Sequence, residues 1–312
     1  MKEKKFVSVV VYLHNVASYL EKFLGQVVTT IDDNFEKMEL IFVDDACIDS
    51  TMDILHQYIE KNNISSMVNV IHMSFFHGVE SSMNAGRDLA IGDFVYEFDD
   101  IIVDYDLETI TDVYNKMIEG ADVVAASSNS KKQFTSTVFY ALYNKTSRNS
   151  GRIGQETFRI ISRRAINRIK TMNQYIPYRK AAYAGSGLKT AVIDYKSTDR
   201  KLRIKNKKSS GERAGLALDS FIYFTNALER ISAVVSMVFL FVTVGMGIYL
   251  ITDALSQDKP VEGWLSTMGF MALGFFGIFA LLTIILKYLS VMLGLIFKKQ
   301  RYLIEDIEKI VK

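Results

Sequence analysis

Through the first two hundred residues, short apolar runs are followed by longer stretches in which apolar residues recur at helical spacing. Phe6–Leu13 (FVSVVVYL), Met38–Val43, Met67–Ile71, Phe94–Phe98 and Asp122–Ala125 read as strands, with Val and Ile prominent. Ala17–Ile31, Thr51–Lys61, Val79–Ala90 and Asp106–Glu119 read as the helices between them. Strands alternating with helices predict an α/β unit with a mainly parallel sheet. Such sheets bind ligands outside the carboxyl ends of their strands, so the polar residues that follow each strand are the ones to read for chemistry.

The pattern then changes. Ile231–Thr252 and Trp264–Leu286 carry no charged residue, and each is near the ~20 apolar residues a bilayer-crossing helix needs. The alternative is a pair of buried core helices. The connector between them holds Asp253, Asp258, Lys259 and Glu262, whereas Lys201, Arg203, Lys205, Lys207, Lys208 and Arg213 precede the first run and Lys298, Lys299 and Arg301 follow the second. By the positive-inside rule this predicts a transmembrane hairpin with both termini in the cytoplasm, and Trp264 as an interfacial anchor. Residues 205–230 mix basic positions with Leu216, Leu218, Phe221, Ile222 and Phe224, as a helix lying in the membrane interface does; an ordinary surface helix is the alternative. No secretory signal pattern opens the chain.

Composition narrows the choice of partners. Hydrophobic residues make up 49% of 312, against 23% charged, which excludes a disordered chain. The formal net charge of +2 gives no footprint for nucleic acid. The single cysteine, Cys47, excludes an intramolecular disulfide and a Cys-based zinc site; it reads as inert. His14, His56, His72 and His77 lack metal-ligand spacing. The acidic stretch Glu305–Glu308 reads as a solvated helical face.

Two strand ends carry paired carboxylates. Asp44-Asp45 follow the second strand, with Asp49 and Thr51 placed to cap the next helix. Asp99-Asp100 end the fourth, in the stretch FDDIIVDYD. Carboxylates there suit a Mg²⁺ or Mn²⁺ ion shared with substrate phosphates; a solvated acidic turn is the alternative. Between them, GVESSMNAGRDLAIGD supplies small residues for close backbone approach.

The opening strand, the turn from Asp44 to Thr51 and the stretch Gly78–Asp100, in this order, resemble the family-2 glycosyltransferases of the GT-A fold. Phe139-Tyr140, Thr157–Arg164, Gly187–Tyr195, Ala217-Leu218-Asp219 and Arg301–Ile304 are similar to the branch acting on polyprenyl phosphates, which includes dolichyl-phosphate mannose synthases and bacterial undecaprenyl-phosphate glucosyltransferases. The resemblance implies an inverting, metal-assisted transferase moving a sugar from a nucleotide-sugar donor to a polyprenyl phosphate. Its partners would be that donor, the lipid phosphate and the bilayer, with Mg²⁺ or Mn²⁺ as cofactor. It implies that Tyr12, Asp44, Asp45 and Asp99 bind the nucleotide sugar, that Asp99 and Asp100 are catalytic and hold the metal, and that Lys132, Ser136 and Arg200 bind the acceptor phosphate.

This chain departs from the family pattern at several of these places. Ile101 stands where the second metal-binding Asp is expected, and isoleucine offers no ligand. Tyr12 replaces a proline, Val16 an acid, Ser128 an arginine and Ser197 a basic residue. The expectation is therefore a GT-A domain (Rossmann-like, mainly parallel sheet) over 1–204, juxtamembrane amphipathic helices over 205–230, and a transmembrane hairpin over 231–297. Its spans would be about 231–252 and 264–286, the second reaching to 297, with a cytoplasmic tail over 298–312. The expected place is a bacterial inner membrane. Gly245, Gly247, Gly269, Gly274 and Gly277 would permit helix packing in a homo-oligomer. A catalytically silent relative that binds a lipid phosphate or a partner membrane protein is the competing reading. A processive polysaccharide synthase fits less well, because two spans cannot enclose a channel.

Overall fold

Val7, Val9, Val10 and Val11 are each fully buried, as a strand covered on both faces must be. They belong to β1 (Glu3–Leu13), the centre of an eight-stranded sheet. The other strands are β2 (Phe35–Asp44), β3 (Met67–Met73), β4 (Phe94–Phe98), β5 (Val123–Ser128), β6 (Phe158–Ser162), β7 (Thr190–Tyr195) and β8 (Ile304–Ile310). The computed structural model describes residues 2–62, 64, 67–129, 156–171, 178–198, 263–297 and 302–310, with helical residues scattered over 234–252; side chains of the helix 264–297 are described without a break only over 273–289.

Strand order is β7-β5-β6-β4-β1-β2-β3-β8. β1 runs parallel to β2 and β4, β2 parallel to β3, and β5 parallel to β7; β6 is antiparallel to β4 and β5, and β8 to β3. In register, Leu13 faces Asp44, Asp44 faces His72 and Val11 faces Phe98. The carboxyl ends of β1 to β4 therefore share one edge, where the Asp44-Asp45 and Asp99-Asp100 pairs fall.

Helices α1 (Ala17–Phe23) and α2 (Thr29–Asn34) are joined by a π-helical turn over Leu24–Val28. α3 (Thr51–Asn62), α4 (Val79–Leu89), α5 (Glu108–Ile118), α6 (Arg163–Thr171) and α7 (Arg179–Gly185) complete the described helices around the sheet. α4 lies so close to the sheet that a Cβ on Gly86 would stand 2.3 Å from Val10 Cγ1 and 2.8 Å from Val43 Cγ2. The small residues read from the sequence are thus required by close helix–strand contact. The five strands and four helices read from periodicity are all present, shifted by a few residues at their ends. β6 and β7 were not foreseen as strands.

Glu305–Glu308 corrects the expectation of a helical face, for these residues lie in β8, paired antiparallel with β3. The spacing Ile304–Ile307–Ile310 imitates a helix. In the strand, a register irregularity beside Met73 puts Ile304 and Ile307 against one core cluster, while Ile310 packs on the cluster across the sheet. β8 is also pinned by polar contacts. His72 Nδ1 lies 2.9 Å from Asp44 Oδ2, and Glu308 Oε2 lies 3.4 Å from His72 Nε2 and 3.1 Å from His56 Nε2.

The chain divides into two units, one formed by 1–145, 149–220 and 299–312, the other by 146–148 and 221–298. The second contains α8 (Trp264–Phe297), a continuous helix of 34 residues in which Lys287 is the single charged residue. Within this unit Gly277 admits the ring of Phe239, since a Cβ there would fall 2.3 Å from Phe239 Cζ. Among the residues whose side chains are described, which in α8 run without a break only over 273–289, no helical stretch is long and apolar enough to cross a membrane. Residues 205–230 lie outside the described residues.

The His72 contacts set a pH dependence. Its hydrogen bond to Asp44 and, against burial, its bond to Glu308 raise its pKa above the ordinary value. A raised value means that the stabilisation is complete below about pH 6.5 and is lost as pH climbs through the folded-state pKa. Burial works against ionised Asp44, but His72 and the Cys47 amide outweigh it and lower its pKa, so its contribution fades only in acid. Hydrogen exchange should show amides of 304–310, corrected for intrinsic rates, losing protection between about pH 6 and 8. His72→Ala should flatten this dependence; protection that rises with pH would refute it.

Candidate active site

Glu97 on β4 stands directly opposite Arg159 on β6 in the antiparallel register. Cross-strand neighbours of opposite charge meet at this spacing, and here the meeting is buried, with both side chains fully covered. Arg159 Nη1 donates to Glu97 Oε2 at 2.7 Å, its Nη2 to Asp99 Oδ2 at 2.6 Å, and its Nε to Glu156 Oε2 at 2.9 Å. Arg179, in the first turn of α7, repeats the pattern from the other side. Its Nη1 donates to Glu97 Oε2 at 2.7 Å, its Nη2 to Asp99 Oδ1 at 2.6 Å, and its Nε to Glu80 Oε2 at 3.0 Å. Tyr183, one turn further along α7, donates to Glu97 Oε1 at 2.8 Å and accepts from Arg87 Nη1 at 3.2 Å.

Two guanidinium groups thus span the carboxylates of Glu97 and Asp99, and each oxygen of Asp99 is held by one of them. Burial opposes ionisation of Asp99, but Arg159 and Arg179 override it and hold the carboxyl well below the usual range. The carboxylates in turn drive both arginine pKa values upward, again against burial. Tyr183 is pushed up by burial and by Glu97.

Asp45 forms the other side of the strand-end edge. It is fully buried, and it accepts from Tyr12 Oη at 2.8 Å, from the His77 amide at 2.7 Å and from the Gly78 amide at 2.8 Å. The structure therefore joins Tyr12 and Asp45, and makes Asp45 the anchor of the loop 74–78. That loop turns through Gly78 at φ 80°, a left-handed conformation that favours glycine. Asp44, by contrast, is committed to the Cys47 amide at 2.9 Å and to His72. Asp49 accepts from the Thr51 amide at 3.1 Å, the foreseen capping bond, and from the Ala17 amide at 3.2 Å. Burial pushes the Cys47 thiol up to about 12, which leaves it inert at neutral pH.

The loop beside Asp45 is also tied to the residues preceding β8. The Ser74 amide donates to the Leu303 carbonyl at 3.2 Å, the Leu303 amide meets His77 Nε2 at 3.1 Å, and Tyr302 Oη donates to Asp88 Oδ2 at 3.0 Å.

Asp100 Oδ1 accepts from the Ile102 amide at 3.1 Å. Asp104 is fully buried, with Tyr195 Oη at 3.0 Å and Ser197 Oγ at 2.9 Å. Ile101 packs in the core. Ser197, which stands where a basic residue was expected, serves Asp104 instead. Ser128 is buried at the end of β5, while Lys132, Ser136 and Arg200 lie outside the described residues.

A Mg²⁺ or Mn²⁺ ion requires several oxygen ligands free to face it. Asp99 has both oxygens occupied by cations, Ile101 offers none, Asp100 is turned to its own loop and Asp104 is enclosed. No group of three or more His, Cys, Asp or Glu residues is placed to hold a metal among the described residues. Among the described residues, this donor set does not fit the divalent cation expected from the sequence.

Glu97, Arg159 and Arg179 were not foreseen as site residues. For Glu97 and Arg159 the signal is a Glu inside the apolar strand FVYEF and an Arg inside the apolar strand FRIIS; a lone charge in each of two buried strands calls for a partner.

The fold and the carboxylate-bearing strand ends are those of an α/β domain whose ligand edge lies at the carboxyl ends of β1 to β4. Residues 8–175 match the model of Glycosyl transferase family 2, and the chain belongs to that family, with the GT-A fold. Bactoprenol glucosyl transferase of Shigella phage SfX is 26% identical over 244 residues, covering 74% of this chain and 76% of the phage protein. The prophage bactoprenol glucosyl transferase homolog of Escherichia coli K12 is 27% identical over the same shares. Mannosyltransferase PcManGT from Pyrobaculum calidifontis, solved with GDP-Man and Mn2+, superposes with a TM-score of 0.48 at 14% identity, over 96% of this chain and 89% of that one.

Removing one partner of a buried ion pair strands the other, at a cost of about 3–5 kcal/mol. Arg159→Met should lower stability in urea unfolding by that amount. Lys116→Met, which breaks an exposed pair with Glu119 at 2.6 Å, should change it by less than about 1 kcal/mol. Equal effects from the two would contradict the buried network.

Proposed function

We propose that this protein transfers a sugar from a nucleotide-sugar donor to a polyprenyl phosphate at the cytoplasmic face of a bacterial inner membrane, with inversion at the anomeric carbon. The observation that carries the reading is the joining of a family-2 transferase domain to a helix whose described surface is apolar. Phe275, Phe276, Ile278, Phe279, Ile285 and Leu286 on α8 are each more than half exposed. Exposed apolar surface on this scale calls for a lipid phase or a partner, and lipid suits a chain whose relatives are named for bactoprenol. Gly245 and Gly274 meet no atom that would exclude a Cβ, which leaves room for pairing with a second copy.

In the reaction, an oxygen of the lipid phosphate attacks the anomeric carbon and forms the new C–O bond. The bond from that carbon to the donor's diphosphate breaks, and its electron pair leaves with the nucleoside diphosphate. A phosphate monoester is largely ionised at neutral pH, so little proton removal is required of the protein. The demanding task is to hold two anions together and to receive the leaving group. Asp45 and Tyr12 would shape the nucleoside end of the cleft, and the ionised Asp99, fixed by two arginines, would form its wall near the sugar. Lys132, Ser136 and Arg200 are proposed for the acceptor phosphate.

Purified protein in detergent, given undecaprenyl phosphate and a panel of UDP- and GDP-sugars, should release nucleoside diphosphate only when the lipid is present. Asp99→Asn should reduce release about a hundredfold, the scale of losing one positioned electrostatic group. No release from any donor, with the protein folded, would favour a silent relative that binds lipid phosphate or a partner, a reading that Ile101 supports.

A further inference from the structure

The turn after β2 and the loop after β3 carry large apolar side chains outward at the strand-end edge. Ile48 is 92% exposed, Phe75 54%, Phe76 40% and Leu303 42%. They lie along one series of contacts. The Ile48 amide donates to Asn15 Oδ1 at 2.8 Å, Asn15 Nδ2 lies 3.3 Å from His14 Nε2, and the His14 ring meets that of Phe76 at 4.6 Å between centroids. Phe75, its neighbour in the chain, stacks on His77 at 4.1 Å, and the Leu303 amide donates to His77 Nε2 at 3.1 Å. The series is held in place from behind. His77 Nδ1 bonds to the Phe75 carbonyl, and His14 Nδ1 lies 2.7 Å from the Asp45 carbonyl. Asn15 holds a left-handed φ of 52°, a conformation that persists in a non-glycine residue only where its surroundings fix it. Apolar side chains gathered and ordered at one edge mark a contact surface.

The chain itself favours lipid as the occupant. Leu303 is reached from Phe297, the end of α8, through five residues that include Lys298, Lys299 and Arg301. A basic run beside aromatic and aliphatic side chains suits anionic headgroups above an acyl phase. The acidic residues of β8 begin at Glu305 and run away from this edge, because β8 is antiparallel to β3. We propose that Ile48, Phe75, Phe76 and Leu303 form a docking surface for an anionic bilayer, their side chains entering the boundary between headgroups and acyl chains. The inference rests on the membrane part of the transferase reading and deepens it, since it turns the carboxyl ends of β1 to β3 toward the lipid. The loop 74–78, fastened to Asp45 through the His77 and Gly78 amides, then stands at the depth of the lipid phosphates, where donor and acceptor have to meet.

The test is tryptophan quenching in the full-length protein, reconstituted in vesicles of phosphatidylethanolamine and phosphatidylglycerol with or without bromine on the acyl chains. Trp264 is the one native tryptophan, so Trp264→Phe gives a silent background. In it, Ile48→Trp and Phe75→Trp report on the proposed surface. Ile91→Trp is the control, since Ile91 is exposed and precedes β4 at the opposite end of the sheet. Interfacial side chains reach ~5–10 Å into the headgroup–acyl boundary, so brominated lipid should cut emission about twofold at positions 48 and 75 and by less than about a tenth at 91. A protein that floats with the vesicles on a density gradient, yet is quenched at 48 and 75 no more than at 91, would overturn this inference and leave the transferase reading standing. Blue-shifted emission at 48 and 75 without quenching would give the surface to a second copy of this chain and overturn it equally. A folded protein that does not float with the vesicles would overturn both the docking and the membrane location on which it rests.

Discussion

The pair of guanidinium groups held between Glu97 and Asp99 organises the rest of this structure. Four elements meet there. β4 and the residue that follows it supply the two carboxylates, β6 and α7 each supply an arginine, and α4 supplies Glu80. Charges removed from water to this degree are tolerable only when each has its partners in place. β6 must therefore register on β4, and α7 must dock against α4, before the interior becomes electrostatically acceptable. The constraint couples the parallel part of the sheet to the antiparallel strand beside it. It also sets the character of the cleft, since Asp99 emerges at the strand end as an ionised group that can neither drift nor take up a proton near neutral pH.

Much of the architecture is legible in the sequence because its strands are buried on both faces. Val-rich β1 and the apolar run of β2 announce themselves without help from distant residues. Asp49 and Thr51 announce the start of α3 through local capping chemistry, and Gly86 announces a close contact. The failures are equally physical. β8 lies at an edge and carries four charged residues among its seven; its pairing depends on β3, more than two hundred residues earlier in the chain, and no local pattern carries that information. β6 and β7 are short, and their strand character comes from the neighbours they complete.

The site was legible only by halves. Paired carboxylates at strand ends drew attention to Asp45 and Asp99, and both do lie at the proper edge. Their engagements were not legible. Asp45 anchors the loop through two amides and Tyr12, and Asp99 is clamped by arginines about sixty and eighty residues away in sequence. A motif indicates which residue types are present, but whether a carboxylate is free for a metal depends on what the fold brings to it. Ile101 was the local sign at the metal position itself, and its burial in the core shows that the position serves packing.

The return of the chain to the sheet as β8 bears on how the molecule is made. β3 is complete by residue 73, yet the strand that covers its edge begins at residue 304. At synthesis rates of about 5–20 residues per second, the edge waits roughly 10–50 s for its neighbour. Throughout that interval it offers unpaired backbone groups of the kind that invite association with other chains. During the same interval Ser74 and His77, beside the nucleoside end of the cleft, lack the backbone of Leu303 that later braces them. The loop that would receive a donor is thus braced only once residue 303 has been translated, so that a shorter ribosome-bound fragment carries the first seven strands without that brace.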